Sequence, residues 1–207
     1  MTNRNFQREM DVLIENLKKE GRVPTLMLHS CCAPCSSYVL EYLSDFFIIN
    51  VLYYNPNISS KEEYELRLAE QKRLIEEMDF NNPVTLIAGE YNPDDFYSIS
   101  KGLEKCPERG QRCHKCYRLR LEYTAKIAKE QGVDFFATTL TLSPLKDAKI
   151  LNSIGEDLSE KYKVPYLASD FKKKEGYKRS IELSAKHNLY RQDFCGCAYS
   201  KRDIKST

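Results

Sequence analysis

Five short apolar runs, at 25–29, 46–54, 84–88, 134–138 and 165–168, alternate with longer stretches in which apolar residues recur at helical spacing. Runs of this length bounded by turn residues read as buried strands. The clearest helix opens at the capping box Ser60-Lys61-Glu62-Glu63 and extends to about Met78, with Tyr64, Leu68, Ile75 and Met78 on one face. Further helices are expected at 36–44, 114–131, 147–161 and 177–188, and Gly132 should end the second of these. Residues 1–22 read as a polar helix with Phe6, Met10, Leu13, Ile14 and Leu17 on one face. Strands alternating with helices specify an α/β fold with a doubly wound, mostly parallel sheet. With 207 residues, no internal repeat and no linker, one domain spanning 1–207 is expected.

In such sheets ligands bind beyond the C-terminal ends of the strands. Cys31-Cys32 follows the first strand, Tyr54-Asn55-Pro56-Asn57 the second and 138–146 the fourth, so all three segments are expected at that edge.

Apolar residues make up 42% of the chain and charged residues 30%, which suits a globular chain and excludes a disordered one. Neither a transmembrane run nor a secretory signal is visible, so a cytoplasmic location with no membrane partner is expected. Thiols stay reduced there, and eight cysteines then argue for metal or redox chemistry over a disulfide scaffold. Net charge is +2 but unevenly spread. Residues 161–207 hold twelve Lys/Arg against five Asp/Glu, whereas the first 160 hold twenty against twenty-five. This basic C-terminal segment suits a polyanionic partner, and equally a solvated lysine-rich surface.

The cysteines fall in three separated blocks: Cys31-Cys32-Ala33-Pro34-Cys35; Cys106, Cys113 and Cys116; and Cys195-Gly196-Cys197. Cys113-His114-Lys115-Cys116 is a Cys-x-x-Cys at a helix start, where free N–H groups favour thiolates. Zinc sites, iron–sulfur clusters and redox pairs all use that spacing. Gly196 lets the backbone approach an inorganic core closely. Cys31 and Cys32 point in different directions and can serve two neighbouring metal centres. Cys106, before Pro107 in a polar loop, is set aside as a non-ligand. The remaining seven thiols allow a four-thiolate cluster plus a three-cysteine metal site with an open position. His29, at a strand end, is expected in the core or behind the ligands, and His114 is expected to face outward. Tyr53, Tyr54, Tyr166, Tyr190 and Tyr199 are packing candidates, although tyrosines near a basic face can also stack bases.

Three functions compete. A thiol–disulfide oxidoreductase would use Cys32-Ala33-Pro34-Cys35 as its redox pair and leave five cysteines unexplained. A zinc-stabilised RNA-binding module would account for the thiols and the basic segment, but structural zinc knuckles are local, and these blocks lie about eighty residues apart. An iron–sulfur reductase acting on a nucleic-acid-bound group accounts for the thiol count, the strand-end position and the basic segment.

Five segments resemble the QueH family of epoxyqueuosine reductases over about residues 24–202. They are His29-Ser30-Cys31-Cys32-Ala33-Pro34-Cys35; Tyr54-Asn55-Pro56-Asn57-Ile58; Arg112-Cys113-His114-Lys115-Cys116-Tyr117-Arg118-Leu119-Arg120-Leu121; Thr138-Thr139-Leu140-Thr141-Leu142-Ser143-Pro144; and Tyr190-Arg191-Gln192-Asp193-Phe194-Cys195-Gly196-Cys197. The resemblance implies reduction of the epoxide of a modified guanine at the tRNA wobble position to the alkene of queuosine. It implies a 4Fe–4S cluster beside a single iron ion, without cobalamin, and an electron donor of unknown identity. It also implies a fold like the PP-loop nucleotide-binding domains, whose Ser-Gly-Gly-x-Asp-Ser loop is here replaced by the first cysteine block, so ATP use is not expected. Carried over residue by residue, Cys32, Cys113, Cys116 and Cys195 would bind the cluster, and Cys31, Cys35 and Cys197 the lone metal. Some relatives resemble this pattern with a carboxylate at the position of Cys35; a thiolate there makes the site softer, so zinc could compete with iron. Tyr54, a bound water or a metal-bound group would supply protons. Lys146, Arg191 and the lysines at 172–174 would hold tRNA phosphate.

Overall fold

A computed structural model describes residues 4–200. The expected strands at 25–29 and 84–88 are β1 (Thr25–His29) and β3 (Val84–Ala88), joined by β2 (Ile48–Tyr53) and β4 (Phe135–Thr138). They form one sheet in the order β3-β2-β1-β4, every neighbouring pair parallel. Alternate residues of the central strands face opposite layers, as the two-residue repeat of a strand requires. Leu26, Leu28, Ile49, Val51 and Ala137 enter one core with Met10, Ile14 and Leu17 of α1 (Phe6–Lys19) and Val39, Leu40 and Leu43 of α2 (Ala33–Leu43). Met27, Leu52 and Phe136 enter the other, with Leu121, Ala125 and Ala128 of α5 (Gln111–Glu130) and Leu151 and Leu158 of α6 (Ala148–Tyr162). Helices on both faces of a parallel sheet make the fold doubly wound, as expected.

Three differences from the expected elements have local causes. The run at 165–168 contributes only a bridge, with Phe136 N donating to Pro165 O and Leu167 N donating to Phe136 O. Pro165 has no N–H for a continued ladder. The second strand begins at Ile48 because Phe46 and Phe47 both turn back to Leu43 O after α2. Helix α4 (Pro93–Ser100) was not expected, although it starts on ordinary signals: Asn92 caps Asp94 N, Pro93 opens the first turn, and Asp94 and Asp95 follow. The capping box at Ser60 does open α3 (Lys61–Glu77). The end of α5 is set by Gly132, whose φ of 65° lets Val133 N reach back to Ala128 O. The seventh helix, α7, is Gly176–Lys186. Among the described residues no helix is long and apolar enough to cross a membrane.

At the opposite edge from the site, Asp134 fastens the starts of β1 and β4. Its Oδ2 accepts from Thr25 N (2.8 Å) and Thr25 Oγ1 (2.7 Å), and its own N–H donates to Thr25 Oγ1 (3.0 Å). The bonds from Thr25 hold the carboxyl below its ordinary pKa. Asp134→Ala should therefore lower stability at neutral pH by about 1 kcal/mol. Since the folded pKa lies below the unfolded one, this contribution is present above about pH 4 and is lost as pH falls through the folded value. Urea unfolding of the two proteins should show a gap in midpoint that narrows on acidification; a constant gap would remove the carboxylate from the account.

Candidate metal centre

The chain leaves β1 at His29 and passes through Ser30 and Cys31 to Cys32, an extended residue that caps α2. Pro34 in the first turn starts this helix earlier than the expected 36–44, which places Cys35 on it. The Sγ atoms of Cys31, Cys32 and Cys35 all lie within 4.8 Å of one another, with Cys31 and Cys32 at 3.7 Å. Thr139, just beyond β4, accepts from Cys31 N and donates to Cys31 Sγ. Beneath, Gln71 Oε1 accepts from Ser30 and Ser36 at 2.6 Å each. His29 is fully buried between Thr138 Oγ1 (3.0 Å) and Tyr54 O (3.2 Å). The carbonyl requires a proton on Nε2, so Nδ1 accepts from Thr138; burial first, then the nearby Arg120 charge, lowers the imidazole to about 3. His29 is thus a neutral support with both nitrogens engaged.

The third block returns to the same place on a pinned loop. Arg67, 2% exposed and paired with Glu63 at 2.6 Å, donates to Cys195 O (3.3 Å) and Phe194 O (3.4 Å). Asn57 Nδ2 also donates to Cys195 O (3.2 Å), and Ser59 N donates to Gly196 O (3.0 Å). Gly196 has φ 94°, and a Cβ there would lie 2.8 Å from Ile58 Cγ1. The second block is organised by Arg112, 3% exposed, whose Nη1 donates to Leu103 O (2.9 Å), Glu104 O (3.0 Å) and Cys106 O. The Arg112 guanidinium also lies 4.8 Å from the ring centre of Tyr199, beyond the third block.

Cys31, Cys32, Cys35, Cys113, Cys116, Cys195 and Cys197 together line one cavity of about 230 Å³. Cys106 is not in its wall; Gly110 packs against that sulfur. Lys146 and Arg191 line the cavity, but the lysines at 172–174 do not: Lys172 pairs with Asp170 and Lys174 with Asp11 at 2.8 Å. Lys201, Arg202 and Lys205 of the basic segment lie outside the described residues. Tyr54 is absent from the wall as well. Its ring stacks on Tyr123 (3.9 Å between centres) and its hydroxyl donates to Asp95 Oδ2 (2.8 Å), so burial and Asp95 push its pKa up. The expected proton donor Tyr54 thus has its hydroxyl engaged by Asp95 outside the cavity wall. The sequence reading gave no role to Arg67, Arg112, Arg120 or Tyr177, which do line the wall.

The thiols do not ionise alike. Donation from Cys32 and Cys35 holds Cys31 well below an ordinary thiol, whereas the same sharing raises Cys32 to about 11 and holds Cys35 well above an ordinary thiol. Cys195, beside Cys197 and 3.1 Å from Ser200 Oγ, is held at about 5, and Cys197 is raised. Burial raises Cys113 and brings Cys116 to about 11, overriding the helix-start preference for thiolate. The first and third blocks thus each hold one thiol that ionises readily beside neighbours that resist, and the second block holds none; a bound soft cation would displace the remaining protons. Seven converging thiols fit a thiolate-held metal group. Asn57 Oδ1 and Gln192 Oε1 are buried without a partner among the described residues.

A family model described as epoxyqueuosine reductase QueH matches residues 26–203. An epoxyqueuosine reductase QueH of Staphylococcus epidermidis is 43% identical over 202 residues, covering 95% of this chain and 84% of the relative. One from Streptococcus pyogenes serotype M1 is 40% identical, covering 96% and 78%, and one from Thermotoga maritima is 32% identical, covering 85% and 90%. The chain belongs to the QueH family. The curated relatives it matches are named epoxyqueuosine reductases, and the chain is an oxidoreductase.

Gly196→Ala tests the loop geometry of this QueH site. The left-handed φ and the contact with Ile58 together cost on the order of 2 kcal/mol, enough to weaken metal binding about tenfold or more. Zinc competition against a chromogenic chelator, with circular dichroism to establish folding, should show that loss. Unchanged affinity would mean that the loop tolerates displacement.

Proposed function

We propose that this chain reduces epoxyqueuosine at the wobble position of tRNA to queuosine, with a 4Fe–4S cluster and an adjacent metal ion held in the seven-thiol cavity. The observation that carries the proposal is the convergence of all three cysteine blocks on one cavity in a chain of this family. We assign Cys32, Cys113, Cys116 and Cys195 to the cluster and Cys31, Cys35 and Cys197 to the ion, which is iron, with zinc as competitor at so soft a site. The close approach of Cys31, Cys32 and Cys35 supports metal binding at this block, and in this reading the two sites adjoin at the Cys31–Cys32 pair. When bound, the cluster would supply electrons singly and the ion would polarise the epoxide C–O bond.

Overall, two electrons and two protons enter, the epoxide oxygen leaves as one water, and an alkene remains. A separate protein or small reductant must supply the electrons. The chain's own residues hold and shield the substrate. Leu140, Leu142 and Phe96 give the wall apolar surface that limits water. Lys146 and Arg191 stand in the wall to receive backbone phosphates, and Arg191 is braced by Ser184 Oγ at 2.8 Å. Tyr177, 39% exposed at the cavity, offers a face on which an unstacked base can lie.

Anaerobic purification should yield a brown protein with about four sulfides and more than four irons per chain, and turnover of epoxyqueuosine-containing tRNA. A colourless protein holding only zinc under those conditions would overturn the proposal. Lys146→Ala should weaken tRNA binding severalfold near 0.1 M salt and reduce the slope of log K against log salt by about one. If neither changes, the phosphates lie elsewhere.

A further inference from the structure

Of the large apolar residues that are exposed among the described residues, only Leu145 and Tyr177 stand in the cavity wall. Surface leucines scattered singly are ordinary. Leu145 is placed differently, because the backbone is built to present it. After the buried Leu142 the chain makes a tight turn over Ser143-Pro144-Leu145-Lys146, in which Lys146 N donates to Ser143 O (3.1 Å) and Leu145 N donates to Ser143 Oγ (3.3 Å). Pro144 fixes its own φ at the second position of the turn, so Leu145 is held at the third with little freedom left to lose. The far end is secured at once by Asp147, which caps α6 through Lys149 N (2.8 Å), and by the buried Ala148. At this apex Leu145 remains 50% exposed.

The wall around it suits an anionic ligand, with six Lys/Arg against two carboxylates, Glu108 and Asp193. Lys146 follows Leu145 directly, and Tyr177 offers the second exposed apolar surface. Tyr177 is also held rigidly: the Gly176 before it packs so closely that a Cβ there would collide with Phe171 O and the Tyr38 ring. Exposed apolar side chains beside phosphate-binding cations match a single-stranded nucleic acid, whose bases present apolar faces along a charged backbone. An enzyme that works on a base, or on a group the base carries, turns that base out of its stack. Apolar side chains such as Leu are the usual wedge between base steps. We infer that Leu145 is such a wedge: a positioning residue that takes the place of the wobble base in the anticodon stack, while the extruded base lies on Tyr177 and its modified group enters the cavity. The inference rests on the reading that the substrate is carried by tRNA. A wedge acts without charge, so its loss weakens binding without changing the salt response, unlike the loss of a phosphate contact.

The test uses an anticodon stem-loop RNA with guanine at the wobble position and, on its 3′ side, 2-aminopurine, whose fluorescence is quenched by stacking. The RNA is titrated with the full chain, purified anaerobically, and circular dichroism is recorded for each variant. Wild type should raise the fluorescence severalfold at saturation. Leu145→Ser should bind about three- to tenfold more weakly with an unchanged slope of log K against log salt, and at saturation should reach less than about half of the wild-type rise, whereas Leu145→Met keeps most of it. A full rise with Leu145→Ser, or a wild-type chain that binds the RNA with no rise, overturns the inference while leaving the proposed function standing. Altered circular dichroism of Leu145→Ser would make the residue a structural prop and overturn it as well. A wild-type chain that does not bind the stem-loop at about 0.05 M salt overturns the tRNA reading and this inference with it.

Discussion

Parallel strand direction is the constraint from which the site follows. Because β1, β2 and β4 all run the same way, the chain leaves each of them at one edge of the sheet. Cys31 follows β1, Asn57 follows β2 and Thr139 follows β4, so a cysteine block and the residues that brace it arrive together without a long loop. The helices then bring the rest. The start of α5 carries Cys113 and Cys116 to the same edge, and α3 holds the returning Cys195–Cys197 loop through Arg67. An antiparallel arrangement would have divided these segments between two edges.

The second determinant is burial. Thiols exposed to water would titrate independently near their ordinary values. Here they share protons inside a wall, so Cys31 and Cys195 ionise easily while their neighbours resist. The preference set by the start of α5 is weaker than desolvation at Cys116. Local helix electrostatics therefore does not decide the ionisation of these thiols; their enclosure does.

Much of the sheet was legible from apolar runs, since buried strands leave little choice of residue. The ends were less so: Pro165 and the turn at Phe46–Phe47 limit pairing through backbone donors, which composition does not display. The cysteines were legible by type and count, since metal ligands or redox pairs explain seven thiols gathered in three blocks better than packing does. The arginines were not. Arg112, Cys116, Arg120 and Thr124 form a buried stripe at four-residue spacing on α5, yet a charged residue in a helical pattern is ordinarily assigned to solvent. Arg118, between them, does face out and pairs with Asp157. Nothing in the local pattern separates it from Arg120; only the packed fold does. Tyr54 illustrates the converse, a conspicuous residue at the right strand end whose hydroxyl is taken by Asp95 from a helix that sequence reasoning missed.

The wall draws its sulfurs from both early and late parts of the chain, from Cys31 to Cys197. During synthesis the first five of those seven thiols emerge well before the last two. A nascent chain therefore spends an interval with an incomplete set of thiols and no third block to close the wall. Enclosure of the cavity is consequently a late event, ordered after translation of Cys195 and Cys197.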